Sequence, residues 1–165
     1  MQDYYYLLIS LFFFAIFLIY RNGFNRHKRN VRTAGKVIKK LEDFEYDGAK
    51  LNYLRKIDPF VFEELILTGF KAKGYKIKRN KRYTGDGGID GRVKKDGKWY
   101  LVQAKRYSNS INPSHVLEFD SVIKKHKAAG GFFVHTGRTG AKSLEYKTDC
   151  IEFVSGDKLL TLIKV

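Results

Sequence analysis

The hydrophobic positions along this chain change period twice. Tyr4 to Tyr20 (YYYLLISLFFFAIFLIY) is apolar all round, without charge, glycine or proline. From Asp58 to Gly74 the spacing turns helical, with Phe60, Phe62, Leu65, Ile66 and Phe70 forming an apolar face. Asp58 suits the N-cap of that helix, Pro59 its first turn and Gly74 its end. Beyond it the period shortens to two. Tyr75–Tyr83 alternates loosely and predicts a basic strand. Ile89–Val93 and Lys98–Lys105 predict two more, joined by a tight turn at Asp96-Gly97. Pro113–Ala129 is helical again, with Val116, Phe119, Val122 and Ile123 on one side. Gly131–Thr136 predicts a buried strand, Gly140–Thr148 a short helix, Ile151–Val154 a strand and Asp157–Ile163 a last helix. The order α-β-β-β-α-β-α-β-α from residue 58 onward implies an α/β domain with a mixed central sheet flanked by helices.

The N-terminal run reads as a single transmembrane helix, residues 1–20. At about 1.5 Å per residue it and its flanks nearly span a ~30 Å hydrocarbon core, and its terminal tyrosines suit the two interfaces. A cleaved signal peptide and a buried helix are the rival readings. Against the first, no basic stretch precedes the run and no small-residue cleavage site follows it. Arg21, Arg26, His27, Lys28, Arg29 and Arg32 follow directly. By the positive-inside rule they place this side in the cytoplasm, with the N-terminus outside. Lipid headgroups are the expected partner of this basic stretch, with DNA the alternative. Residues 21–57, helical over Val31–Tyr53 with a break at Asp47-Gly48, form a basic stalk leading to a domain at 58–165.

Composition narrows the partners. The 165 residues suffice for one domain and an appendage. With 32 Lys and Arg against 17 Asp and Glu, the formal net charge is +15, which points to nucleic acid or an anionic surface. The single cysteine, Cys150, rules out an internal disulfide framework and a Cys-rich zinc site.

The chemistry concentrates between Gly85 and Lys105. GDGGID at 85–90 precedes one predicted strand, and QAK at 103–105 ends the next. Alternation puts Trp99, Leu101 and Gln103 on one face and Tyr100, Val102 and Ala104 on the other. Antiparallel pairing brings Asp90 to the Gln103–Lys105 end. A carboxylate, an amide oxygen and an ammonium meeting there suit Mg²⁺ binding and activation of water against a phosphodiester. Asp90 is the expected metal ligand, or else a turn residue. Lys105 would stabilise developing negative charge or orient the water, or else is a solvated strand-end lysine. Gln103 is a ligand, a water-positioning group or a sheet hydrogen-bonder, and Asp86 shapes the turn or binds metal. Lys76, Lys78, Arg79, Lys81 and Arg82 form a candidate DNA-phosphate surface or a solvated strand face. Arg106 is either a phosphate contact or an ordinary surface residue. His135, in an apolar strand, reads as a core residue.

Phe62-Glu63 on a helix, then GDGGID, then QAK, in that order, resemble the PD-(D/E)xK nuclease superfamily and specifically its Mrr-type restriction endonuclease domain. The resemblance covers about Asp58 to Ile163. It implies a restriction-endonuclease-like fold and an endodeoxyribonuclease that depends on Mg²⁺ (or Mn²⁺) and restricts foreign DNA. It also implies that Glu63 reaches the metal site from its helix and that the Ala104 carbonyl is a further ligand; Glu63 is otherwise a helix-surface charge, and its neighbour Glu64 is the natural surface residue. Gln103 departs from the Asp or Glu of many superfamily members, although Mrr-type domains resemble this chain in using Gln. A Holliday-junction or repair nuclease of the same fold, and a non-catalytic membrane-tethered DNA-binding protein, are the alternatives. Double-strand cleavage would further imply a homodimer.

Overall fold

The computed structural model describes residues 2–80 and 88–164, and within the first helix the side chains of 4–18 and 26–42. In chain order the elements are α1 (Gln2–Glu42), α2 (Asp47–Leu54), α3 (Pro59–Ala72), β1 (Lys76–Arg79), β2 (Gly91–Lys95), β3 (Lys98–Lys105), α4 (Pro113–Lys125), β4 (Gly130–His135), α5 (Ala141–Glu145), β5 (Ile151–Val154) and α6 (Gly156–Ile163). The element order expected from residue 58 onward is the order observed. The expected α/β class, a mixed sheet with helices on both faces, is also observed.

Local chemistry sets the boundaries. The Asp58 carboxylate accepts from the Phe60 and Val61 amides and caps α3, with Pro59 at its first position. Asn112 caps α4 through Ser114 in the same way, again followed by proline. The β2–β3 turn needs left-handed backbone at both central positions, and Asp96 and Gly97 adopt φ of 49° and 78°. Expected helices are trimmed at their ends: Lys127 takes a φ of 49° beyond α4, and α5 stops at Glu145.

The sheet runs β1-β2-β3-β4-β5. β1, β2 and β3 pair antiparallel, whereas β3, β4 and β5 pair parallel. β3 is therefore the central strand where pairing changes sense. Its alternation separates two cores, as expected. Tyr100, Val102 and Ala104 face α3 and α6, in a core with Phe62, Leu65, Phe132, Leu159 and Leu162. Leu101 faces α4, with Phe119, Ile123, Phe133 and Ile151. Gly69 lets α3 approach α6 closely, because a Cβ there would lie 2.6 Å from the Leu162 carbonyl oxygen.

The N-terminal segment corrects one expectation. Tyr4–Tyr20 is helical, but as the first part of the 41-residue α1 rather than a separate anchor. Among the described residues no helix is long and apolar enough to cross a membrane. The apolar run from Tyr4 to Tyr20 opens with three tyrosines, includes Ser10 and is followed at once by Arg21, against a requirement of about 20 predominantly apolar residues. The membrane location goes with it, as do the outside N-terminus, the cytoplasmic placement of the domain and lipid as a partner. Farther along, α1 lies against α3, and Ala34, Val37 and Leu41 are buried in the α3 core.

Candidate active site

The site forms where the β2–β3 ladder ends. The register runs from Lys95↔Lys98 at the turn to Gly91↔Val102. Past that pair, the Asp90 amide donates to the Val102 carbonyl at 2.8 Å. The Asp90 Oδ2 in turn accepts from the Ala104 amide at 2.6 Å. The carboxylate is thereby fixed to the backbone of QAK. Gln103 is buried, and its Nε2 donates to the Gly88 carbonyl at 2.8 Å. That bond sets the orientation of the amide. The Gln103 Oε1 is buried and has no hydrogen-bond partner among the described residues, an arrangement that costs free energy unless something else fills the position. Gly88 is required twice over: its φ is +83°, and a Cβ there would lie 2.7 Å from Gln103 Nε2. Asn80 also donates to the Ile89 carbonyl and ties the end of β1 to this segment. Lys105, two residues beyond Gln103 and half-buried, closes the same face of β3.

The other expected residues divide. Glu63, on α3, is half-buried. Its neighbour Glu64, which the sequence suggests as the surface one, is buried at 2% exposure. Arg79 Nε donates to Glu64 Oε2 at 2.6 Å, and His27 Nδ1 lies 3.0 Å from Glu64 Oε1. The guanidinium of Arg79 thus points to the α3 side, whereas Lys76 and Lys78 are exposed on the other face of β1. Arg106 donates to the Arg55 and Ile57 carbonyls, and Arg55 donates to the Thr136 carbonyl, so α2 is bound to the ends of β3 and β4. Lys81, Arg82 and Asp86 lie outside the described residues.

Glu64 carried a signal in the sequence. It stands three residues after Val61 and three before Leu67, on the inner stripe of α3. His135 is fully buried, and burial pushes its pKa down to about 4, so the ring is neutral at physiological pH. It packs edge-on to Tyr107 and Phe153, as a core residue would.

Among the described residues no three His, Cys, Asp or Glu side chains converge as a metal site. Mg²⁺ does not require three: it is usually held by one or two carboxylates, with waters and substrate phosphates completing the shell. The Asp90 carboxylate, fixed to the Ala104 amide, and the Gln103 Oε1, without a partner among the described residues, are the oxygens at this strand end that could serve such a cation.

Residues 54–163, two-thirds of the chain, match the Mrr_cat restriction endonuclease family. The chain belongs to that family. The type IV methyl-directed restriction enzyme EcoKMrr of Escherichia coli (strain K12) is 30% identical over 135 residues. That match covers 76% of this chain and 44% of the relative, so the chain spans less than half of that enzyme's length. The MspJI restriction endonuclease, solved in complex with a 27-mer oligonucleotide, superimposes with a TM-score of 0.54 at 22% identity, over 72% of this chain and 31% of that one. This last likeness is one of fold. The Mrr_cat region begins at the end of α2 and takes in the whole sheet, the Asp90–Gln103–Lys105 end included.

Proposed function

We propose that this Mrr-type domain is a Mg²⁺-dependent endodeoxyribonuclease that hydrolyses phosphodiester bonds in the restriction of foreign DNA. The observation that carries the reading is the buried Gln103 Oε1, without a hydrogen-bond partner among the described residues, at the strand end to which the Asp90 carboxylate is fixed. Asp90 and Gln103 would hold the cation, with Glu63 approaching from α3 and the Ala104 carbonyl as a further oxygen. Mg²⁺, or Mn²⁺ in its place, supplies a Lewis acid for the phosphoryl oxygens and a more acidic bound water. The chain's own part is to orient and to offset charge. The Ala104 amide keeps the Asp90 carboxylate aimed, and the Gly88 carbonyl holds the Gln103 amide in one orientation. The Lys105 ammonium would offset the negative charge that develops on the phosphate. Cutting both strands would take two copies of the site, which a homodimer supplies.

The test is plasmid nicking by the intact chain, with Mg²⁺ and with EDTA. Asp90→Asn and Lys105→Ala should each reduce nicking about 10²–10³-fold, the scale of losing one group that stabilises transition-state charge. Duplex binding should survive both changes. Wild-type nicking retained by both variants would sink the assignment.

A further inference from the structure

The face of β1 and β2 opposite α3 carries charge that the proposed cation chemistry does not use. Lys76 stands directly across from Lys94, and Lys78 directly across from Arg92. Residues directly opposite share a face, and like charges so placed are destabilising. Among the described residues, the ion pairs include none of these four side chains. Arg79, the one β1 cation that is paired, points to the other side. Continuing across the sheet, Lys94 stands opposite Trp99, with its Nζ 5.8 Å from the ring centroid. The indole is 38% exposed. Helix α4 lies over β4 on this face, and Lys76 and Lys78 remain in the open.

Alternation carries this face into the site. Lys94, Arg92 and Asp90 follow one another two residues apart, at about 7 Å per step. The basic rows therefore end where the carboxylate begins. Duplex DNA bears one phosphate per ~3.4 Å of its axis on each strand, so one such step corresponds to about two phosphates of a facing strand, one for each cation pair.

We propose that Lys76, Lys78, Arg92 and Lys94, with Trp99 as an apolar floor, form the surface on which duplex DNA lies as it enters the site. The inference rests on the nuclease reading and adds to it the face that the duplex occupies. A polyanion there relieves the cross-strand repulsion that the protein otherwise bears.

The experiment uses the intact chain in EDTA, a short labelled duplex and a titration of potassium chloride from about 50 to 200 mM, the range over which phosphate contacts lose most affinity. Two paired variants are compared, Lys76→Gln with Lys94→Gln and Lys78→Gln with Arg92→Gln. Lys142→Gln with Lys147→Gln, both exposed near α5, serves as control. Each paired variant should flatten the slope of log affinity against log salt by about 1–2 and weaken binding roughly ten-fold or more. The control should match wild type. Thermal midpoints should hold or rise, since like charges are removed. Trp99 is the only tryptophan in the chain, so its emission should shift when duplex binds. An unchanged slope in the combined four-site variant, or Trp99 emission unmoved at saturation, would place the DNA elsewhere and overturn the proposal while leaving the nuclease reading intact. A wild-type chain that binds no duplex at any salt would overturn both.

Discussion

Gln103 is the residue on which the site turns, because its two polar atoms have opposite circumstances. Nε2 is spent on the Gly88 carbonyl, and Oε1 is buried without a partner among the described residues. Gln103→Glu keeps the size but replaces the donor with an oxygen facing a carbonyl oxygen. Without divalent cation the variant should lose about 1–3 kcal/mol, the range for leaving a buried polar group unsatisfied. Added Mg²⁺ should recover that loss and raise the melting temperature more in the variant than in wild type, since a carboxylate attracts the cation more strongly than an amide does. Thermal melts with Mg²⁺ and with EDTA decide this. A variant as stable as wild type in EDTA would show that the Gly88 bond contributes little. The placement of Asp90 and Gln103 was legible in the sequence for a physical reason. Asp96-Gly97 specifies a two-residue turn, and a two-residue turn fixes the register of everything along the hairpin. The bond from the Asp90 carboxylate to the Ala104 amide was not legible, since it depends on how the ladder ends.

At the scale of elements, the buried Glu64 joins three of them. It sits on α3 and receives Arg79 from β1 and His27 from α1. Losing Arg79 while His27 stays costs less than the ~3–5 kcal/mol of a buried charge left without any partner, nearer the ~1.5–3 kcal/mol of a hydrogen bond to a charged group. Arg79→Met should therefore lower stability by roughly that amount in urea unfolding, and Glu64→Leu together with Arg79→Met should regain most of it. Equal losses in the single and double variants would mean that packing, not charge, sets the cost. This linkage was not readable from the chain. Alternation in β1 separates Arg79 from Lys76 and Lys78, but it does not say which face meets a helix. Nor does it say that the helix supplies a carboxylate. The same gap explains why Glu64 resembled a surface residue: α3 is buried on more than one side, by the sheet, by α1 and by α6, and a simple amphipathic stripe understates that.

Across the whole molecule, the element order and the helix count from residue 58 onward follow from periodicity and turn residues, whereas the strand order does not, and α3 and β4 are buried on more than one side. The N-terminal region does not obey that logic. Its apolar run resembles an anchor by composition, yet it is continuous with a segment whose spacing is ordinary and whose inner face is packed. Asn30, Ala34, Val37 and Leu41 are buried, and Arg26 stacks over Phe60 at 4.5 Å from the ring centroid. Arg26–Glu42 therefore behaves as part of the folded body in its contacts, and trimming should show it. A chain beginning at Arg26 keeps the His27–Glu64 pair and, among the described residues, every buried α1 side chain, so its urea midpoint should match that of the intact chain. A chain beginning at Leu51 uncovers the α3 core where Val37 and Leu41 lay. Burial of each such side chain contributes about 1.5–3 kcal/mol, and a domain has only about 5–15 kcal/mol in total. The shorter chain should thus lose at least about 3 kcal/mol or unfold without a cooperative transition. Matching midpoints for the chains begun at Arg26 and at Leu51 would show that α1 merely rests on the domain and does not stabilise it.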